Sequence, residues 1–459
     1  MALIKSISGI RGTIGGKPGE NLTPTDIVKF TAAFATSLNN SQNKTIVIGR
    51  DGRISGKLVS DLCANTLMAC GFNVIDLGIT TTPTVEIAVK EEGAAGGIIL
   101  TASHNPKEWN ALKLLNSDGE FLNSQAGEKV LSIADNEKFN FVSVDKTGTY
   151  KKDDSYLQKH IDAVVNYDLV DVEAIKKAKF KIVLDPINSS GAIYIPALLK
   201  ALGVKEVIVI NEEVNGKFEH NPEPLPKNLI GLSSEVVKQK ASLGIAVDPD
   251  VDRLCFVCED GSMFGEEYTL VAVADYILKN RKGNTVSNMS STKSLKEITH
   301  QHGGEYFPSP VGEVNVVNKM KEVNAVVGGE GNGGIIVPDF HYGRDALIGI
   351  GLFLSHLAHS QKSIKQFRGN YPDYFISKNK ITLEKNVDVK EIFKKIKDKY
   401  KNNPVNTEDG LKIEFGNDWV HLRTSNTEPI LRIYSESNFE TTAENIAKKI
   451  MRDIHEVIS

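Results

Sequence analysis

One short unit recurs along this chain and constrains its architecture more than any other feature. A helical run stops at glycine, and a short apolar run follows. The unit reads ACGFNVIDL at Ala69–Leu77, ALGVKEVIVI at Ala201–Ile210 and QHGGEYFP at Gln301–Pro308. Glycine closes helices because the left-handed closing conformation costs it least. Other buried runs (KTIVIG at Lys44–Gly49, Gly97–Leu100, Phe180–Asp185, Leu243–Val247 and Thr285–Asn288) alternate with helical patterns at Leu58–Cys70, Thr84–Glu92, Ala192–Leu202, Tyr268–Asn280 and Ser294–His302. Such alternation predicts α/β layers with helices packed on sheets. Identity among the copies is low, so this is a weak internal repeat, and chance recurrence of a common helix ending is the competing reading. Beyond Asn370 the pattern changes. A lysine-rich segment, Lys378–Asn403, reads as a strand entering a solvated helix. Leu411–Phe415, Trp419–Leu422 and Ile430–Tyr434 then alternate as antiparallel strands before an amphipathic helix over Thr441–Ile458.

Length sets the number of cores. At 459 residues the chain is long enough for roughly three domains. With 41% hydrophobic and 24% charged residues it needs no metal or disulfide staple to fold. A net charge of −4 argues against a nucleic-acid surface, while leaving room for a local anion pocket. The most apolar stretch, Leu347–Leu357, is too short for a membrane span and contains Ser355 and His356. The N-terminal MALIKSISGIRG has no continuous apolar region, so no export signal is expected. Four cysteines fit a reducing cytoplasm. Cys255 and Cys258 form a lone C-x-x-C within the strand-like LCFVC, where buried packing is expected rather than zinc.

Four segments carry chemistry. In DPDVDR, Asp248, Asp250 and Asp252 are spaced two apart, and extended backbone would place all three carboxylates on one side. Converging carboxylates call for a hard cation such as Mg²⁺. An EF-hand would need glycine where Arg253 stands, and a solvated acidic turn is the bland alternative. In IILTASHNP an apolar strand ends at Ser103-His104-Asn105, where a nucleophile or a helix cap could sit, with Lys113 ten residues on. The run GEGNGG at Gly329–Gly334 matches G-x-G-x-x-G, but IIVPDF follows where a dinucleotide fold needs a helix. A loop presenting Glu330 and Asn332 to sugar hydroxyls fits better, and a plain tight turn is its alternative. RTSNTEP at Arg423–Pro429 offers an arginine and small polar side chains to a dianionic phosphate, with Arg432 adding charge, or else makes a polar hairpin.

TASHNP, DPDVDR, the glycine loop with Glu330, and RTSNTEP stand in the order found in the α-D-phosphohexomutase family. GIRG at Gly9–Gly12 and GRDGR at Gly49–Arg53 extend the resemblance over essentially the whole chain. The resemblance implies four domains around a central cleft: three related α/β sandwich-like domains with mixed sheets (1–150, 151–257 and 258–370) and a C-terminal α+β domain (371–459). It implies that Ser103 carries a phosphoryl group and that Asp248, Asp250, Asp252 and Ser103 hold one Mg²⁺ per chain. Glu330 and Asn332 would contact sugar hydroxyls. Arg423, Ser425, Asn426 and Thr427 would grip the distal phosphate. Lys113 and Arg11 would lie near the reacting phosphoryl group with His104, Lys113 being the acid/base candidate, and Arg253 would sit close to the phosphoserine. The implied reaction is phosphoryl transfer between O6 and O1 of a hexose phosphate through a 1,6-bisphosphate, which is also the activator, in a monomer or homodimer. Many relatives read G-E-x-S-G-H where this chain has Asn332 and Gly334. GEGNGG looks more like a variant seen in proteins described as phosphoglucosamine mutases or broad hexomutases; glucosamine phosphate is the expected sugar, with phosphoglucomutase/phosphomannomutase activity as the alternative. The readings from other classes are a nicotinamide dehydrogenase and a non-catalytic phosphosugar- or Ca²⁺-binding protein.

Overall fold

The computed structural model describes residues 3–6, 9–383, 388–424 and 430–458. Within them the chain builds four sheets. The first has seven strands in the order Ile4–Ser6, Gly9–Thr13, Trp109–Leu115, Gly96–Leu100, Thr45–Arg50, Asn73–Ile79, Tyr150–Lys152. The second runs Leu254–Cys258, Leu243–Val247, Lys181–Asp185, Glu206–Val209. The third runs Tyr306–Ser309, Asn284–Asn288, Ala325–Glu330, Gly334–Ile336. The fourth is antiparallel throughout: Phe375–Thr382, Ile430–Ser437, Asp418–Thr424, Leu411–Phe415, Val405–Asn406.

The recurrent unit is a structural repeat. Gly71, Gly203 and Gly303 close helices Gly56–Ala69, Gly191–Ala201 and Ser294–Gln301 at φ of 84°, 84° and 74°. That left-handed region is open to glycine without a Cβ clash. Each glycine feeds a strand that pairs in parallel with the strand preceding its helix. A second correspondence was not visible in the sequence. In each of the three units a central parallel strand is followed directly by an antiparallel neighbour. The connection between those two strands holds TASHNP in the first unit, DPDVDR in the second and Gly331–Gly333 in the third. All three motifs therefore occupy the same corner of the same topology.

Several elements lacked a sequence expectation, among them strand Trp109–Leu115 and helices Pro24–Ser37, Ser124–Asp135 and Ile230–Gln239. Trp109–Leu115 is buried on both faces, so it has no two-residue alternation to read. The apolar stretch near Leu347 is helix Ala346–Ser360, buried from Ala346 through Leu357. It belongs to one continuous hydrophobic cluster shared by the second and third units, whereas the fourth sheet has a separate cluster with Ile413, Leu422, Ile433 and Ile450. All four cysteines are buried and free. Among the described residues no helix is long and apolar enough to cross a membrane.

Candidate active site

Strand Gly96–Leu100 is buried throughout and delivers the chain to Ser103. Ser103 is 3% exposed and has φ of 48°, a left-handed conformation costing a non-glycine residue about 1–2 kcal/mol. Its amide donates to Thr101 Oγ1 at 2.9 Å, and the Thr101 hydroxyl donates to Asp51 Oδ2 at 2.6 Å. Arg53 holds the rest of the loop. Its Nε donates to Asp51 Oδ2 at 3.0 Å, and its two terminal nitrogens donate to the carbonyls of Ser103, Asn105, Pro106 and Trp109 at 2.5–2.9 Å. No helix starts at Ser103, so it is not a cap. Its hydroxyl donates to Asp248 Oδ2 at 2.7 Å, and His104 Nδ1 lies 3.4 Å from Ser103 Oγ. Burial, and then the charges of Arg253 and Arg11, hold His104 well below its ordinary pKa, so the imidazole is neutral.

The aspartates converge by a different route from the extended one expected. Residues 248–253 form a turn between two strands, with Val251 at φ of 63°. Asp248 Oδ1 closes the turn by accepting the amides of Asp252 and Arg253 at 3.2 and 3.1 Å. All three aspartates are fully buried, and one carboxylate oxygen from each lies within 4.8 Å of the others. The second oxygen of each is anchored elsewhere. Asp250 Oδ2 accepts from Lys113 Nζ at 2.7 Å and Thr82 Oγ1 at 2.6 Å, and Asp252 Oδ2 accepts from Arg344 at 2.6 Å. Asp250 Oδ1 and Asp252 Oδ1 have no hydrogen-bond partner among the described residues. Burial, reinforced by Asp252 and Asp250, pushes Asp248 well above the carboxylate range. Burial opposes the charge of Asp250 as well, but the Lys113 ammonium holds its carboxyl below the usual value. Unpartnered buried carboxylate oxygens aimed at one point fit a hard cation, so the triad could hold a metal ion. The solvated-turn reading fails on burial. The EF-hand reading fails because Glu259 accepts the Lys365 amide at 3.1 Å beyond the intervening strand.

Cations surround this group. Lys113 is buried on strand Trp109–Leu115. Burial works against its charge, and Asp250 and Asp252 outweigh that and raise its pKa. Arg11 pairs opposite Ala111 on the next strand and donates to Asn105 Oδ1 at 2.8 Å. Arg253 lies 3.8 Å from both Asp248 and Asp252, and its Nε has no hydrogen-bond partner among the described residues.

The glycine loop joins from the third unit. A strand, not a helix, follows Gly334, which excludes the dinucleotide fold. Gly333, at φ of 86°, rests on the Leu254 backbone, where a Cβ would come within 2.2 Å of the carbonyl oxygen, so the loop seats directly behind the aspartate turn. Glu330 accepts from Asn288 at 2.8 Å, the Gly312 amide at 3.0 Å and Arg344 at 2.8 Å. Burial would raise Glu330, but Arg344 and these hydrogen bonds bring it below the usual value. Asn332 Oδ1 accepts the Gly334 amide at 3.2 Å.

Arg423 is not in contact with the Ser103 group. Its Nε lies 2.8 Å from Asp409 Oδ2, which also accepts the Val311 amide at 2.9 Å. Arg432 stands directly opposite on the neighbouring strand. Like charges directly opposite disfavour strand pairing, and the Asp409 carboxylate offsets that of Arg423. Ser425, Asn426 and Thr427 lie outside the described residues. Sequence reasoning missed Thr82, Glu313, Arg344 and Asp409, which carry no local spacing signal, and reached Arg53 only through the GRDGR resemblance.

Four sequence families described as phosphoglucomutase/phosphomannomutase domains match in order: alpha/beta/alpha domain I over residues 3–141, domain II over 158–261, domain III over 265–374 and the C-terminal domain over 384–453. A phosphoglucomutase/phosphomannomutase of Thermococcus kodakarensis is 36% identical over 440 residues, covering 94% of this chain and 95% of its own. A phosphoglucosamine/phosphogalactosamine mutase of Sulfurisphaera tokodaii is 31% identical, covering 98% and 99%. The structure resembles that of a phosphoglucomutase/phosphomannomutase family protein from Burkholderia thailandensis, with a TM-score of 0.86 at 24% identity over 100% of this chain and 98% of that one. At that identity the likeness speaks for the fold alone.

Proposed function

The chain belongs to the phosphoglucomutase/phosphomannomutase family of phosphosugar mutases, which are isomerases, and from that membership we propose that it interconverts glucosamine 6-phosphate and glucosamine 1-phosphate through phospho-Ser103. The observation that carries this reading is the Ser103 hydroxyl, held 2.7 Å from Asp248 in a buried, left-handed turn beside two unpartnered carboxylate oxygens. A nucleophile fixed this way loses little freedom on reaction.

In the first half-reaction, the bond from phosphorus to Ser103 Oγ breaks and one to a sugar hydroxyl oxygen forms, giving a hexose 1,6-bisphosphate. In the second, the other phosphoryl group returns to Ser103. Mg²⁺, one per chain, bound by Asp248, Asp250, Asp252 and phospho-Ser103, would supply charge neutralisation for the transferred group. Arg11, Lys113 and Arg253 face the same group and stabilise its charge. Lys113, cationic beside Asp250, gives a proton to Ser103 Oγ as its bond to phosphorus breaks and, as the free amine, takes it back in the second half-reaction, while neutral His104, 3.4 Å from Ser103 Oγ, accepts the proton of the attacking sugar hydroxyl and returns it to the sugar oxygen that is released. Glu330 and Asn332 orient the sugar hydroxyls. Arg423, with Ser425, Asn426 and Thr427, binds the phosphate that does not react, and the Arg423–Arg432 pairing supports an anion there. Hexose 1,6-bisphosphate is also the activator. Domain limits are placed at 1–150, 151–257, 258–370 and 371–459, in a cytoplasmic monomer or homodimer that binds neither nucleic acid nor membrane.

Asn332 and Gly334 in the sugar loop support glucosamine. The second reading, a phosphoglucomutase/phosphomannomutase of broad specificity, is favoured by the description of the Thermococcus relative. Comparing kcat/KM for glucosamine, glucose and mannose phosphates with a trace of bisphosphate separates the two. Intact-mass analysis should find a fraction of the protein one phosphoryl group heavier. S103A should lack that fraction and lose on the order of a thousandfold or more in kcat. Full mutase activity in S103A would overturn the mechanism, and binding without turnover would favour a non-catalytic sugar-phosphate protein.

A further inference from the structure

Arg344 is 7% exposed and meets three carboxylates from two units of the fold. Its terminal nitrogens donate to Asp252 Oδ2 at 2.6 Å and Glu330 Oε2 at 2.8 Å, and its Nε donates to Glu313 Oε2 at 3.1 Å. Its backbone amide donates to Glu313 Oε1 at 2.9 Å, so Glu313 grips both ends of the residue. The flanking backbone is tied to the same two loops. The Asp345 amide donates to the Ile335 carbonyl at 2.9 Å, and the Ala346 amide donates to Val251 at the centre of the aspartate turn at 3.2 Å. The space for the Arg344 stem exists because residue 334 is glycine: a Cβ there would lie 2.3 Å from Arg344 Cδ.

Resting on the mutase reading above, we propose that Arg344 is a positioning residue that couples the sugar loop to the cation site, so that hexose phosphate bound at Glu330 and a divalent cation bound at Asp252 each change the affinity of the other. The physical basis is competition for one guanidinium. Asp252 presents its free Oδ1 to the cation and its Oδ2 to Arg344, so a cation on Oδ1 draws charge away from the Arg344 contact. A sugar hydroxyl at Glu330 does the same from the other side. Because the fork is planar and rigid, a change at one carboxylate reorients the donor aimed at the other. Lysine in this place would keep the charge and lose the fork. The coupling is reciprocal, as any linkage between two binding equilibria must be.

The test is calorimetric titration of Mg²⁺ into dephosphorylated protein, alone and with saturating glucosamine 6-phosphate, for the wild type, R344K, R344M and G334A. In the wild type the sugar phosphate should change the Mg²⁺ affinity by about fivefold or more, within the usual range of allosteric coupling. In R344K and G334A the ratio should fall below about twofold while both ligands still bind, and kcat should drop with little change in KM. G334A retains the arginine and displaces chiefly its stem, its Cβ lying 2.3 Å from Arg344 Cδ and 3.1 Å from Asn332 Oδ1, so together with R344K, which leaves Asn332 untouched, it decides the matter if R344M does not fold. A ratio that persists in folded R344K and G334A, or a wild type that binds both ligands independently, overturns the inference. Failure of the mutase reading looks different: no hexose phosphate binds the wild type, and the inference falls with it.

Discussion

Arg53 shows how one side chain can set the geometry of the Ser103 loop. Its side chain is fully buried, and all five N–H groups are used, one on Asp51 and four on carbonyls between Ser103 and Trp109. The Phe218 ring lies 5.0 Å away against the guanidinium. Lysine has three donors on a point charge and cannot reproduce this fork. R53M would bury Asp51 without its partner and leave four carbonyls short of a donor, which should cost about 3–5 kcal/mol by urea denaturation. R53K should lose less stability but lower kcat more than KM, because the Ser103 loop relaxes while the distal sugar contacts remain. An R53K enzyme with wild-type kcat would show that Arg53 serves folding only. This residue was legible only as part of a motif, because a fully buried arginine runs against every composition-based expectation.

At the scale of one element, helix Ala346–Ser360 is both a structural axis and a pH-sensitive one. Asp345 caps it, with Oδ1 accepting the Leu347 amide at 2.7 Å, and its apolar residues bind the second and third units into one cluster. His356 is buried within it: its Nδ1–H donates to the Ala272 carbonyl at 3.0 Å and its Nε2 accepts from Lys279 Nζ at 3.0 Å. Burial, and then the Lys279 charge, push His356 down to about 4. Asp275, 3.6 Å away, is already engaged by Lys279 at 2.8 Å. The folded state therefore keeps this imidazole neutral where the unfolded chain protonates it near pH 6.5. Between about pH 6.5 and 4 the unfolded state binds more protons, so stability falls as pH falls. Relative to H356Q, the wild type should lose about 2 kcal/mol more stability between pH 7 and pH 5, read from urea midpoints. Equal losses in the two proteins would sink the assignment. The sequence reading identified this stretch as apolar but did not reveal it as the helix joining two units, since an all-round apolar pattern has no face to point with.

Across the whole molecule, the apolar clusters divide the chain unevenly. The second and third units share one cluster, while the fourth sheet and its helices close on their own. Side-chain polar contacts link the fourth sheet to the third unit. Lys412 Nζ donates to the Met289 carbonyl at 2.7 Å, His421 Nδ1 meets Ser290 Oγ at 2.9 Å, and Glu436 accepts the Lys293 amide at 3.0 Å. Seams of this kind uncouple unfolding more readily than a shared core does. Scanning calorimetry should resolve a separate transition for the C-terminal domain. I433A, a fully buried site, should lower that transition by roughly 2–5 kcal/mol and leave the others in place. A single transition that shifts as a whole in I433A would show the four domains to be one cooperative unit.

The amino-acid sequence by itself determined the α/β layering, the glycine stops, the acidic triad, the serine turn and the strand after Gly334 that excludes a dinucleotide fold. These are local matters: periodicity, glycine and carboxylate spacing act within a few residues. Tertiary structure alone decided that the three motifs share one topological corner and that the aspartates converge through a left-handed Val251 turn. It also decided which partner each carboxylate takes. Thr82 reaches Asp250 across 168 residues and Arg344 reaches Asp252 across 92. A buried charge is stable only beside its partner, and that partner is set by how the sheets dock, which no local pattern encodes.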